Sequence, residues 1–344
     1  MIGVRARGGV LRAAAVLAAA ALVAVGCGTG DGDVSASGQS GRTTATLDGL
    51  DPTPIAQSPA ATLPVTVRGF DGVDVTITDT SRIVAADQYG TLTETVYALG
   101  LGDRLVGRDG AAQFPAVASV PNVTPSGHSM SAEAILNLHP TVVLTDTSIG
   151  PRSVQDQLRD AGIPVVFFDP TRTLDGVPGQ IEAVAAALGV PAEGKALADR
   201  TSARIDEAAA LAPTDGTAPT VAFLYMRGTS ITMLAGPGSG ADSLIEALGG
   251  VDAGTASGLT AKFTPITSEA MIAAAPDVFL MMTKGLDSIG GINGLERIPG
   301  IAQTPAGRNQ RVVDMQDGAL LSFGPRTGEV LHALAVALYG PDSQ

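Results

Sequence analysis

Two similar α/β lobes joined by a single long helix are the architecture that this 344-residue sequence predicts. Three observations lead there. Short apolar, β-branched runs alternate with helical stretches along most of the chain, the pattern of parallel strands covered on both faces. A segment recurs: SAEAILNLHPTVVL at 131–144 and TSEAMIAAAPDVFL at 267–280 share Glu, Ala, Pro, Val and Leu in register. Between the copies, the Ala-rich residues 192–211 are bounded by Pro191 and Pro213. As one helix they would span about 30 Å, enough to bridge two lobes.

Residues 1–26 read as a leader. Arg5, Arg7 and Arg12 give a basic start, 13–25 is an unbroken apolar run, and small residues lead into Cys27. That order is a secretory signal peptide; a spanning helix needs about 20 apolar residues. Cys27, the sole cysteine, follows Val23-Ala24-Val25-Gly26. These residues resemble the lipobox of bacterial lipoproteins, although a larger aliphatic residue is usual where Ala24 stands. The resemblance implies an acylated Cys27 at the mature N-terminus; a free thiol beyond an ordinary cleavage site is the alternative. One cysteine forbids an intramolecular disulfide, so the fold relies on its core. Residues 27–62, rich in Gly, Ser, Thr, Asp and Pro, read as a flexible tether.

The first lobe is expected over 63–190. Residues 64–78 alternate around Gly69-Phe70-Asp71-Gly72 and predict a hairpin. Strands follow at 83–86, 105–107, 142–144 and 165–168, with helices at 92–99, 132–138 and 154–160. Ala-Leu-Gly occurs at 98–100, 187–189 and 247–249, where a glycine past the last helical residue caps the helix in the left-handed conformation. Residues 191–213 form the linker. The second lobe, 214–344, is expected to hold strands at 221–224, 231–234, 278–281 and 311–313, with helices at 243–248, 269–275 and 329–338. In each copy of the repeat, Ser131 or Thr267 opens a short helix and a proline leads into a strand.

The formal net charge is −13, from 21 Lys and Arg against 34 Asp and Glu. Cleaving the leader removes three arginines and no acid, leaving 18 basic against 34 acidic residues, or −16. Such acidity argues against nucleic acid and against an anionic membrane surface as partners. An anionic ligand needs only local positive charge. Aromatics make up 3% and Trp is absent, which argues against a stacking groove for sugars or bases.

The layout resembles the solute-binding proteins of the cobalamin, siderophore and haem uptake class over residues 64–340. The resemblance is carried by SRIVAADQYGTLTETVYALGLGDRLVG, by the helix-Pro-strand repeat and by LERIPGIAQTPAGRNQRVV. GHSMSAEAI, FLYMRG and LLSFGPRTGEVL are similar to the haem-binding branch. The resemblance implies two Rossmann-like lobes facing across a ligand cleft. It also implies haem as the carried ligand, held by an axial His from the first lobe and an axial Tyr from the second. His128 and Tyr225 match those positions. His128 lies in the loop Pro125-Ser126-Gly127-His128, and Tyr225 ends an apolar strand, where α/β sheets place ligands. Ferric haem accepts imidazole and phenolate, and Arg227, two residues on, sits on the same side of an extended segment as the phenol. Taken singly, a loop histidine is ordinarily solvated and a strand-end tyrosine ordinarily caps the core.

Met130, Met281 and Met282 are candidate contacts to the porphyrin face, although Met is more often a core filler. Arg326 is a candidate partner for a propionate, or else solvates a helix start. His139 and His332 read as structural or surface residues. Glu133 and Glu269 occupy one slot in the two copies of the repeat, and the resemblance implies that they dock on the permease of an ABC importer with its ATPase. A first-turn glutamate is also favoured by the helix dipole alone. The expected protein is therefore an exported monomer, held by its lipid on the outer face of the bacterial cytoplasmic membrane. Siderophore or cobalamin remains an alternative cargo, and an envelope haem-processing enzyme a further alternative. Three His and one Cys argue against a dedicated zinc or manganese site. The glycine-rich 236–240 lacks the Lys-Ser/Thr ending of a phosphate loop, and no acid/base pair or nucleophile elbow marks a catalytic site.

Overall fold

The computed structural model describes residues 40–214 and 218–340. The leader and Cys27 lie outside them. Strand β1 (Arg42–Ala45) comes first, then the antiparallel hairpin β2 (Val65–Arg68) and β3 (Asp74–Ile77). The first lobe continues with β4 (Ile83–Ala86), α1 (Thr91–Val96), β5 (Leu105–Arg108), α2 (Ala132–Asn137) and β6 (Val142–Asp146). It ends with α3 (Arg152–Asp160), β7 (Val165–Phe168) and α4 (Gly176–Ala187). Its sheet runs β5-β4-β6-β7, parallel throughout. Every residue of β4, β6 and β7 is buried, as a sheet covered on both faces requires.

Helix α5 (Pro191–Ala209) carries the chain across. The second lobe holds β8 (Thr220–Arg227), β9 (Ile231–Ala235), α6 (Ala241–Ala247), β10 (Val251–Asp252), α7 (Ala253–Ala256), β11 (Phe263–Pro265), α8 (Ser268–Ala274) and β12 (Val278–Met282). Then come α9 (Thr283–Ser288), α10 (Ile292–Leu295), α11 (Pro305–Arg308), β13 (Val312–Met315), α12 (Asp317–Leu320) and α13 (Thr327–Tyr339). The sheet order is β1-β13-β12-β8-β9-β11, with β10 also on β8. Strands β9 and β11 are antiparallel to their neighbours.

The repeat is structural. Ser131 and Thr267 cap α2 and α8, each side chain accepting from the backbone N–H three residues on. Each helix is followed by a left-handed residue before the proline, His139 at φ 47° and Ala275 at φ 42°. The reversal is what lets each strand run back beneath its own helix.

The expected tether over 27–62 is corrected from residue 42 onward. Strand β1 pairs in parallel with β13, so the second lobe takes its edge strand from the N-terminal side of the first. Composition misled here, because the polar, proline-rich segment meets its hydrogen bonds on the folded body. Arg42 donates from Nε to Asp314 at 2.8 Å, Ile55 N donates to Ala98 O at 2.7 Å, and Ser58 N to Gly100 O at 3.0 Å. Helix α4, of which the sequence marked only the end at Gly189, covers the first sheet and packs along α5.

Two glycines set the helix crossings. A Cβ at Gly194 of α5 would lie 2.3 Å from the Ala185 Cβ of α4, and one at Gly328 of α13 would lie 2.6 Å from the Arg204 backbone of α5. A buried ion pair also joins the lobes. Arg326 Nη2 donates to Glu94 Oε2 at 3.0 Å, the Arg326 backbone N–H donates to Glu94 Oε1 at 3.0 Å, and the side chains are 7% and 1% exposed. Arg326 is thus not available to a cargo acid: Glu94 in α1 already holds it. Arg326→Met should lower stability by about 3–5 kcal/mol, because it strands a buried carboxylate. Urea unfolding would measure the loss, and adding Glu94→Leu should recover a large part of it.

Candidate functional site

The carboxyl ends of the parallel strands of both sheets face a common cavity of about 520 Å³. Ligands settle at such ends because the connecting loops there expose side chains while the strands hold them. The first-lobe wall comes from residues just past β4 (Gln88, Tyr89), the loop bearing His128, the end of β6 (Thr147, Ser148) and Arg172 after β7. The second-lobe wall comes from Tyr225 on β8, Ile231 and Met233 on β9, Lys262, Phe263 and Met282.

On the first-lobe side, His128 is exposed and its Nδ1 lies 2.7 Å from Gln88 Nε2. Gln88 is itself tied down: its backbone N–H donates to Ser148 Oγ at 3.0 Å, and Ser148 Oγ donates to Asp146. Beneath lies a buried cluster in which Arg172 Nη2 reaches Asp146 at 3.0 Å and Asp87 at 3.4 Å. The Arg172 guanidinium stacks on the Tyr89 ring at 4.9 Å, and its Nε and Nη1 have no protein partner.

On the second-lobe side, Tyr225 is half-buried, with Phe263 against its ring edge-on at 5.9 Å. The Arg227 guanidinium sits 4.7 Å from the Tyr225 ring centroid, a cation over the phenol face. Arg227 is held there by Asp317 at 2.9 Å and by the Met226 carbonyl at 2.8 Å. Lys262 stretches past Gly238, which takes a left-handed φ of 76°. The glycine-rich loop is not an anion cradle, since Asp242 already accepts from Gly238 N and Gly240 N.

The structure thus brings His128 and Tyr225 to one cavity, with Arg227 beside the tyrosine. Three other candidates lie elsewhere. Met130 is 4% exposed in the first-lobe core, its sulfur facing Thr145 and Gln155. Met281 is fully buried in the second-lobe core. Neighbouring strand residues face opposite ways, so of the β12 pair only Met282 lines the cavity. Arg326 is spent on Glu94. His139 and His332 are exposed and distant from the cavity lining. Glu133 and Glu269 are exposed in the first turns of α2 and α8, outside the cleft. Gln88, Tyr89, Arg172, Lys262 and Phe263 escaped the sequence reading; the rule that strand ends carry ligands points to the first three.

Comparison with known proteins follows the same lines. The pattern of a family described as periplasmic binding protein matches residues 84–319. An ABC transporter substrate-binding lipoprotein of Bacillus subtilis, YvrC, is 28% identical over 84% of this chain and 89% of its own. A cobalamin-binding protein of Halobacterium salinarum is 28% identical over 68% of this chain and 64% of its own. Among solved structures, the haem-binding protein HmuT is 43% identical with a TM-score of 0.84, over 88% of this chain and 99% of that one. Versions of HmuT with one histidine, one arginine or one tyrosine replaced by alanine match equally well. The periplasmic haem-binding protein RhuT of Roseiflexus sp. RS-1 is 41% identical with a TM-score of 0.71, over 76% of this chain and 98% of that one.

Electrostatics beneath the cleft are unusual. No Asp or Glu stands among the described lining residues, yet Asp87, Asp109 and Asp146 are buried just behind them. Burial pushes the Asp109 carboxyl up to about 7, and repulsion from Asp87 adds to it, against the N–H groups of Ala112 and Ala111 and the Thr93 hydroxyl. Burial and Asp87 also raise Asp146, against Arg172 and Ser148. A carboxyl raised on folding binds its proton more tightly in the native state. Stability should therefore fall as pH rises from about 4, the unfolded value, through about 7. Asp109→Asn keeps an acceptor for the two N–H groups and removes the titration. Thermal melts of the variant should lose part of the decline between pH 5 and pH 7.5 that the parent shows.

Proposed function

The chain belongs to the periplasmic binding protein family, and we propose that it captures haem between its lobes and presents it to an ABC importer. The observation that carries this reading is the convergence of His128 and Tyr225, from opposite lobes, on one cavity. Ferric iron takes imidazole and phenolate as its two axial ligands. Arg227 over the Tyr225 ring supplies a cation beside the phenol. Ile231, Met233, Phe263, Met282 and Leu321 offer the apolar walls that a porphyrin face needs. In a chain this acidic, a lining with Lys262 and Arg172 and without a carboxylate suits a cargo that carries acids. The haem-binding names of HmuT and RhuT point the same way. The cobalamin-binding relative keeps a corrinoid as the second reading.

The chain's own residues do the work of binding. His128 and Tyr225 clamp the iron from two sides, the apolar walls exclude water, and release requires the lobes to be disturbed. No chemistry on the cargo is needed, so the protein acts as a carrier and not as an enzyme. Export and anchoring rest on the leader and Cys27, and YvrC is named a lipoprotein. Among the described residues no helix is long and apolar enough to cross a membrane. Docking rests on Glu133 and Glu269. They stand in matching places on the two lobes, suiting a permease of two like subunits that offers a cation to each.

Two experiments test this. Adding hemin to the mature protein should give a saturable Soret shift at micromolar protein. Tyr225→Phe and His128→Ala should each change the ferric spectrum, and the pair should nearly abolish binding. A saturable response to cobalamin in place of hemin would favour the second reading, and recovery of altered haem would favour an enzyme. In cells, Glu133→Arg with Glu269→Arg should leave the haem spectrum intact while uptake falls sharply, and Cys27→Ala should shed the protein from the membrane fraction. Normal uptake by the folded double variant would rule out the docking role.

A further inference from the structure

His128 stands on an exposed loop beside Gly127, which has φ 78°. A ring there turns freely unless something fixes it. Among the described side chains, Gln88 is the one hydrogen-bonded to that ring, 2.7 Å from Nδ1. The Gln88 backbone in turn is fixed to the floor of the cleft through Ser148, Asp146 and the buried Arg172. The path runs from a buried ion pair to an exposed ring.

We propose that Gln88 is the positioning residue for His128: its amide holds Nδ1 in the empty cleft and, turned over, steadies the tautomer that offers Nε2 to the cargo. The proposal rests on the haem reading above. A neutral imidazole carries its one proton on Nδ1 or on Nε2, and only the bare nitrogen has a lone pair for iron. With the Gln88 amide nitrogen toward the ring, as in this structure, Nδ1 accepts and the proton sits on Nε2. Nε2 then carries the proton and has no lone pair for iron. A half-turn of the amide about its last bond brings Oε1 to the same place, where it accepts a proton on Nδ1. One proton leaves Nε2 and one arrives on Nδ1, so no net proton is taken up. An amide can serve both states from one position: it steadies the ring in the empty cleft and completes the ligand when iron arrives. Ligating histidines commonly owe their orientation and basicity to such a partner on the far nitrogen.

Gln88→Leu removes the partner, and Gln88→Glu leaves only an acceptor. Hemin titrations, ferric spectra and redox titrations on the mature protein would test the assignment. Gln88→Leu should weaken hemin binding about ten- to a hundredfold. Gln88→Glu should keep binding and lower the reduction potential of the bound iron, since a carboxylate on Nδ1–H makes the ring a stronger donor. A merely structural residue would not shift that potential. In a His128→Ala background, Gln88→Leu should have no further effect. The assignment is overturned if Gln88→Leu matches the parent within twofold while His128→Ala changes the spectrum, and equally if its effect persists without His128. If the parent itself takes up no hemin, the haem reading falls and this assignment with it. Melting curves would verify that each variant is folded.

Discussion

The geometry of the cleft depends on one buried ion pair. Glu94 sits in the first-lobe helix α1 and Arg326 just ahead of the second-lobe helix α13, and the two lock with almost no water access. Burying both charges carries a desolvation penalty that their attraction alone does not reliably offset. Here the penalty is shared by further bonds, the Arg326 N–H to Glu94 and Arg326 Nη1 to the Leu50 carbonyl, while the Thr91 hydroxyl donates to the Ser322 carbonyl and ties the two lobes nearby. Gly324 matters for the same reason, because a Cβ there would lie 3.0 Å from the Glu94 carboxylate. What the pair supplies is orientation. With the lobes locked behind the cleft and joined by α5, the two sets of strand ends are held facing each other, and His128 and Tyr225 share one cavity.

The cleft separates charge from its compensation. Its lining carries cations and no carboxylate, while three aspartates lie buried behind the first-lobe wall. Those acids are not idle. Asp87 accepts from Tyr89 N and Leu92 N, Asp146 from Ser148, and Asp109 from Ala111 N and Ala112 N. Each therefore shapes a turn at a strand end, and Arg172 bridges two of them. The arrangement keeps the loops that present Gln88 and Tyr89 in place without exposing negative charge in the cleft.

The N-terminal segment closes the second lobe as a clasp. Arg42 on β1 reaches Asp314 with Nε and Nη2, both at 2.8 Å, and Thr44 and Thr283 donate to the same carboxylate. Burial alone would raise the Asp314 carboxyl, but the bonds from Arg42, Thr283 and Thr44 outweigh it and hold the group below its usual value. An ionised, four-fold bonded aspartate thus ties the ends of β1, β12 and β13 together beside the cleft.

Much of this was legible in the sequence wherever the signal was local. Apolar runs marked β4, β6, β7, β8 and β12, the repeat marked the paired helix-Pro-strand units, and Ala-Leu-Gly marked helix ends where Gly100, Gly189 and Gly249 do take positive φ. Periodicity and capping are properties of a few neighbouring residues, so they survive without knowledge of the fold. Partners distant in the chain were not legible. Arg326 looked free because Glu94 lies 232 residues away. Met130 and Met281 looked like cleft residues because nothing local says which way a strand or loop side chain faces. Residues 42–45 looked like tether because their hydrogen bonds belong to β13, 270 residues on. Gln88 became visible only once folding set it against a histidine 40 residues later. Sequence alone thus marked most of the longer strands and helices and their order, and the family resemblance it carries supplied the His128–Tyr225 candidates. Tertiary structure decided which polar groups are already satisfied by each other and which are left for a ligand, because a buried charge or amide declares its role only through the partner that packing brings to it.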